Sequence, residues 1–231
     1  MKIMTFNTLH CCDWKNNRID FDVIANAIKE CGADIVGLNE MRNDGANPDY
    51  TNQAKALAER VGFDHYYFAK AIDFGGKNPY GNAIISRYPI DEVRTVIIPD
   101  PEVKGYNGYY ETRCVLVAKI NGYTVLVSHF GLNPDEQENA VKTVLSEVES
   151  EKCILMGDFN MQPDNAILAP IYERMTDTAT AFENADAKTF PSDKPVEKID
   201  YIFVSRDVKV LSAYVPEIIA SDHRPLVAEI E

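Results

Sequence analysis

Residues 152–160 read KCILMGDFN, an apolar run that stops at glycine, aspartate and asparagine. The run at 152–156 has the length and composition of a β-strand, and Gly157, Asp158 and Asn160 are residue types that favour a turn. A strand that delivers an acid and an amide at its end is a unit of chemistry as well as of structure. The unit recurs along the chain. Asn7 follows a strand at 2–6, Glu40 follows the short apolar strand 34–38, and His129 ends the strand in VSHFG. Asp200 opens the strand of IDYIFV, and Asp222 and His223 precede the strand of PLVAEI. Taken singly, each reads as a turn residue, a surface acid or a core histidine. Strand ends that converge on one edge of packed sheets would bring them together.

The surrounding pattern predicts how the sheets are built. Further strands are expected at 65–71, 82–86, 92–98, 112–120, 123–130, 199–204, 208–215 and 226–230. Asn121-Gly122 marks a tight hairpin, because both central positions of that turn need positive φ. Phe21, Ile24, Ala27, Ile28 and Cys31 recur at helical spacing, and Gly32 stops that helix. Thr51 is the expected cap of a second helix, with Ala54, Leu57, Ala58 and Val61 as its apolar face and Gly62 at its end. Asn133 caps a third, which begins at Pro134 and buries Val141, Val144, Leu145 and Val148. Hairpins mixed with helical crossovers predict an α+β chain: two sheets packed together, with helices outside. Nothing divides residues 1–231, so one domain is expected. Residues 99–110 and 179–198 stand out as long polar loops, which in compact domains are usually functional or mobile.

Composition narrows the function classes. The chain has 231 residues, 45% of them hydrophobic and 26% charged, which excludes a disordered or collagen-like protein. No apolar run approaches the ~18 residues of a membrane span. Lys and Arg total 23 against 36 Asp and Glu, a net charge of −13. The basic residues form no stripe, so a polyphosphate duplex is a disfavoured partner. The five cysteines, Cys11, Cys12, Cys31, Cys114 and Cys153, contain no CxxC or CxxxC pair; neither a zinc site nor a disulfide framework is expected. The opening MKIMTFNTLHCCDW turns polar too early for a signal peptide. A cytoplasmic protein is expected, or a secreted one if a leader precedes this sequence.

Read in order, TFNTLH, DIVGLNE, YGNAIISRYPI, ETR, VSHFGL, ILMGDFN, KIDYIFVS and SDHRPLVAEI resemble the endonuclease/exonuclease/phosphatase superfamily. That superfamily includes deoxyribonuclease I, AP endonucleases, neutral sphingomyelinases and inositol-polyphosphate 5-phosphatases. The resemblance runs from residue 3 to residue 230. It implies a four-layer α/β/β/α sandwich and a Mg²⁺- or Mn²⁺-dependent phosphoric ester hydrolase. It also implies roles. Glu40 would be the main metal ligand, with Asn7 and Asp222 completing or supporting the shell; hard cations take oxygen ligands. Asp158 would orient and deprotonate the attacking water, and Asn160 would hold the phosphate or the nucleophile. His223, held by Asp200, would donate to a phosphoryl oxygen as charge builds there. His129 would face the same phosphate with Glu111 of ETR as its partner.

Two departures stand out. Asn39 takes the place of a glutamine usual before the metal-binding acid, and the histidine segment VSHFGL differs from the tyrosine-containing one of AP endonucleases. The expected substrate is therefore a small phosphate ester or lipid headgroup. A nuclease is the alternative, and a catalytically silent interaction module a remoter one. Tyr106, Tyr109 and Tyr110 of PEVKGYNGYY, together with Arg42, are the candidate substrate-binding residues. Phe182, Phe190, Lys188 and Lys194 are candidates for a lid opposite, and Trp14 for a wall of the site.

Overall fold

Neighbouring residues of a strand point to opposite faces, and here both faces are apolar. Ile3 and Met4, Ile35 and Val36, Leu126 and Val127, and Ile154 and Leu155 are all fully buried. Strands of this kind must be covered on two sides. A computed structural model describes residues 1–48, 50–182 and 187–231. It shows how the cover is supplied.

The chain runs through β1 (Lys2–Asn7), the two-residue strands β2 (Cys12–Asp13) and β3 (Arg18–Ile19), α1 (Phe21–Cys31), β4 (Ile35–Arg42) and α2 (Gln53–Val61). Then come β5 (His65–Phe74), β6 (Asn78–Ser86), β7 (Ile90–Ile97), β8 (Cys114–Ile120), β9 (Tyr123–His129), α3 (Pro134–Glu147) and β10 (Cys153–Asp158). The last elements are α4 (Ala169–Arg174), β11 (Met175–Asp177), β12 (Asp200–Ser205), β13 (Val210–Tyr214) and β14 (Leu226–Ile230). One six-stranded sheet has the order β13-β14-β1-β4-β6-β5 and the other β11-β12-β10-β9-β8-β7. Both are mixed. β1 lies parallel to β4 and antiparallel to β14, and β10 lies parallel to β9 and antiparallel to β12.

Ile3, Ile35 and Ile84 of the first sheet meet Leu116, Val127, Ile154 and Met156 of the second in the central layer of core. The outer face of the first sheet, with Met4, Val36 and Ile85, is covered by Ile24 and Ile28 of α1 and Leu57 of α2. The outer face of the second, with Leu126, Leu155 and Phe203, is covered by Val141 and Val144 of α3 and Ile171 of α4. This is the four-layer α/β/β/α sandwich that the sequence leads one to expect. Among the described residues, no helix is long and apolar enough to cross a membrane.

Local chemistry explains the boundaries. The Asp20 carboxylate accepts from the backbone of Asp22 and Val23 and starts α1, and Gly32, at φ 64, ends it. Asn121 and Gly122 sit at φ 50 and φ 79, the pair of left-handed residues the β8–β9 turn demands. Two expectations need correction. The cap of α2 is Asn52, not Thr51: the Asn52 side chain accepts from Lys55 N at 3.0 Å. β4 does not stop before Glu40 but runs on to Arg42, with a register shift against β6 between Leu38 and Met41. Glu40 occupies that irregularity at φ 59. α4 and β11 lie in a stretch too short for a period to show.

The sheets approach closely at Gly37. A Cβ there would lie 2.7 Å from Met156 Sδ and 3.0 Å from Val127 Cγ2. Gly37→Ala should therefore overpack the central layer and cost about 1–3 kcal/mol. The check is urea unfolding, with the midpoint lowered and the slope unchanged.

Candidate active site

Register alone puts three of the strand-end residues side by side. In the second sheet Asp158 of β10 is paired with His129 of β9 on one side and with Asp200 of β12 on the other. In the first sheet Asn7 of β1 is paired with Asn39 of β4. The two rows meet edge to edge. The Asn39 side chain joins them: its Oδ1 accepts from Asp158 N at 3.0 Å, and its Nδ2 donates to Ser128 O at 3.1 Å and Asn82 Oδ1 at 2.8 Å. Gly157 makes the row possible. It holds φ 146, and a Cβ there would lie 1.8 Å from the Ser128 carbonyl.

The Asp158 carboxylate is where the cleft converges. Oδ2 accepts from Asn7 Nδ2 at 3.0 Å, and Oδ1 accepts from Asn160 N at 3.0 Å. Nε2 of His129 lies 3.5 Å from Oδ2 and Nε2 of His223 lies 3.6 Å from it. Burial raises the Asp158 pKa to about 7, against the opposing pull of His223. That places the group in the range suited to taking a proton near neutrality.

The two histidines differ in charge, and their partners say why. Arg113 Nη1 lies 2.8 Å from His129 Nδ1. A guanidinium only donates, so Nδ1 accepts and the proton of the neutral ring sits on Nε2, which lies 3.1 Å from the Asn160 side-chain amide nitrogen and 3.5 Å from Asp158 Oδ2. Burial, with Arg113 and His223 nearby, holds the His129 pKa well below the usual value, and the ring is neutral. His223 is the reverse case. Its Nδ1 donates to Asp200 Oδ2 at 2.8 Å. Burial opposes the charge, but Asp200 and Asp158 outweigh it and raise the pKa to about 10. His223 is an imidazolium with its second N–H facing Asp158.

Glu40 and Asp222 form the other half. Glu40 Oε1 accepts from Asn7 Nδ2 at 3.1 Å. Asp222 has its pKa raised by burial and by the negative charge of Glu40, with His223 opposing. A second carboxylate-rich group is formed by Asp158, Asp200 and His223, whose ligand atoms lie within 4.8 Å of one another. Asp200 Oδ2 already accepts from both His223 and Thr189, so this group is internally bonded. Glu40 lies near enough to Asp222 for its charge to be felt there, and two carboxylates are oxygen donors of the kind that fits a hard divalent cation.

His129 and Glu111, expected as partners from the resemblance, do not meet directly. Arg113 stands between them, 3.0 Å from Glu111 Oε1 through the same Nη1 that meets His129. The Arg113 guanidinium occupies the Nδ1 side of the ring, where Glu111 would have had to accept. Arg42 follows two residues after Glu40 and is nine-tenths buried, its guanidinium 4.5 Å from the Tyr80 ring centroid and 4.8 Å from those of Tyr50 and Phe74. The loop before β8 is tied to the head of α3, with Tyr110 OH donating to Asp135 and Asn133 Nδ2 donating to Tyr109 O. Tyr106 and Tyr109 are exposed. Phe190 is no lid: its ring packs on His223 at 4.9 Å, while Lys188 and Lys194 are exposed. The Phe182 side chain and residues 183–186 lie outside the described residues. Trp14 is exposed, with its backbone N donating to Ala220 O. His10 carries no mark of a functional residue in the sequence. It lies among three consecutive left-handed residues, Leu9, His10 and Cys11, with Nδ1 3.3 Å from Glu40 O and 3.6 Å from Glu40 Oε2.

The family model described as Endonuclease/Exonuclease/phosphatase family matches residues 4–223. The Uncharacterized protein YbhP of Escherichia coli K12 is 28% identical over 256 aligned residues, covering 99% of this chain and 95% of that protein. An endonuclease/exonuclease/phosphatase from Beutenbergia cavernae superposes with a TM-score of 0.80 at 23% identity, over 100% of this chain and 71% of that one. The mannosyl-6-phosphatase Bt3783 of Bacteroides thetaiotaomicron does so at 0.77 and 18%, over 100% and 99%. At these identities the likeness to the two structures is one of fold.

Two outcomes are expected. A histidine whose folded pKa is raised stabilises the fold fully below its unfolded value, and that contribution is lost as pH rises through the folded value. Between pH 6 and pH 10, the stability gap between metal-free wild type and Asp200→Asn should shrink, starting from about 3 kcal/mol. Melting curves of both proteins across that range are the measurement. Asn39→Ala should strand the Asp158 N–H and the Ser128 carbonyl and cost about 2–3 kcal/mol in urea unfolding.

Proposed function

The chain belongs to the Endonuclease/Exonuclease/phosphatase family, whose members are phosphoester hydrolases, and we propose that it is a divalent-metal-dependent hydrolase of small-molecule phosphate esters. One observation carries the reading. A carboxylate with a pKa of about 7, Asp158, lies between a neutral imidazole and an imidazolium at 3.5 and 3.6 Å. Hydrolysis by activated water needs such a group to take the proton. It also needs fixed donors for the oxygens on which negative charge develops. Asp158 supplies the first. His223, as imidazolium, and the Nε2–H of His129 supply the second, with the Asn160 amide beside them.

Asp200 and Arg113 hold the two rings, one from each side, and Glu111 neutralises Arg113. Glu40 and Asp222, supported by Asn7, would hold the Mg²⁺ or Mn²⁺, which supplies charge neutralisation of the phosphate. The whole chain, 1–231, is taken as one catalytic unit. The net charge of −13 favours a small ester over a duplex. Tyr106, Tyr109, Tyr110 and Arg42 are the residues proposed to bind the ester's organic part, the exposed rings of Tyr106 and Tyr109 being free to stack on it. The five free cysteines suit a reducing cytoplasm.

The test is a panel of sugar phosphates, inositol phosphates, an activated phosphodiester, sphingomyelin vesicles and plasmid DNA, with Mg²⁺ or Mn²⁺. Turnover of a small ester is expected to be abolished by EDTA and restored by either ion. Asp158→Asn should lower kcat by about 10²–10⁴, and Glu40→Gln should raise the metal concentration needed for half-maximal rate. Full rate in excess chelator, or wild-type kcat in Asp158→Asn, overturns the reading. Efficient plasmid nicking with no small-ester turnover would replace it with a nuclease.

A further inference from the structure

Asp200 has more partners than its histidine. The hydroxyl of Thr189, a fully buried residue, donates to Asp200 Oδ2, the same oxygen that takes His223 Nδ1. The other oxygen, Oδ1, is buried and has no partner among the described residues. The carboxylate is thus held at one oxygen by two donors, and only one of them is the imidazole.

Thr189 is itself fixed from both sides of its backbone. Its N–H donates to Glu197 O at 2.9 Å, and its carbonyl accepts from Arg224 N at 2.8 Å. The residues after it grip the other end of the same unit. The Phe190 ring packs on the His223 ring. Ser192 N donates to Asp222 O at 2.7 Å, and Ser192 Oγ donates to Ser221 O at 2.6 Å. Arg224 Nε closes the circuit on Ser192 O at 2.7 Å. Residues 189–192 therefore touch the acid, the ring and the backbone on both sides of the ring.

We propose that Thr189 is a positioning residue: its hydroxyl fixes the Asp200 carboxylate so that His223 is held with Nε2 toward Asp158. The hydroxyl never touches the reacting atoms. Its loss frees the carboxylate to turn about its last torsion and present Oδ1, which leaves the imidazole without a fixed anchor. Partners one shell out from a working group commonly account for 10- to 100-fold in activity. The consequence for rate rests on the phosphoesterase reading above; the consequence for the ring does not.

The experiment compares Thr189→Val, which keeps the shape and removes the hydroxyl, with Thr189→Ser, which keeps the hydroxyl. Two readouts are taken. One is kcat and KM on the best ester with Mg²⁺. The other is the downfield proton resonance of the His223 Nδ1–H in the metal-free protein, assigned by its absence in His223→Ala. Thr189→Val is expected to lower kcat at least tenfold with KM within twofold, and to shift or broaden the resonance. Thr189→Ser should restore both. An unmoved resonance in Thr189→Val, an unchanged kcat, or a loss that serine does not rescue overturns the proposal. If wild type turns over no phosphate ester, the functional reading fails and the resonance alone decides on Thr189. Should Thr189→Val not fold, as judged by its melting curve, Thr189→Ala carries the same comparison.

Discussion

One amide holds the edge at which everything else meets. The two sheets pack through aliphatic side chains, which attract without direction and leave the sheets free to slide by small amounts. Asn39 removes that freedom. It receives the Asp158 N–H from the second sheet and gives its own protons to Ser128 of that sheet and Asn82 of its own. Asn82 passes the link on to the Cys114 carbonyl at 2.9 Å. All of these groups are buried, where a hydrogen bond is strong and an unmade one is costly. The polar seam thereby sets the position of one sheet on the other, and the site inherits that position.

With the seam in place, the charges arrange themselves by neighbourhood. Asp158, Asp200, Asp222 and Glu40 crowd one cleft in a protein that is already acidic. Burial pushes protons onto Asp158 and Asp222. The protein answers with cations at two depths: His223 between Asp158 and Asp200, and Arg113 beside Glu111 and His129. The pairing accounts for opposite behaviour in two histidines a few ångströms from one carboxylate. One has a carboxylate at Nδ1 and keeps its proton; the other has a guanidinium there and does not.

Much of this was legible in the sequence, and the reason is periodicity. Doubly apolar strands, helix stops and the Asn121-Gly122 turn each leave a local mark, so two packed sheets with helices outside could be read along the chain; the four-layer order came from the family resemblance. The residues at strand ends were legible too, because a polar group at the end of an apolar run is conspicuous. What escaped was whatever depends on the third dimension. That Arg113 would stand between Glu111 and His129 is decided by the β8–β9 pairing and by the ties of the loop before β8 to the head of α3. The kink at Glu40 requires a left-handed residue that nothing in NEMR announces. Thr189 looks like any loop threonine until Asp200 is seen beneath it. His10 is set by a three-residue turn whose strain only the backbone reveals.

The strand order has a consequence for how the molecule comes into being. β1 lies between β4, which follows it closely in the chain, and β14, which comes after all the other strands described. During synthesis, β1 emerges well before β14 and must wait with one edge unpaired until that strand appears. The second sheet, from β7 to β12, is contiguous in sequence and can close earlier. Long-range pairing of this kind makes folding slow and leaves an open edge exposed to other chains in the meantime. The nascent protein is thus at its most vulnerable to association at the strand that carries Asn7, and it is the arrival of β13 and β14 that ends the exposure.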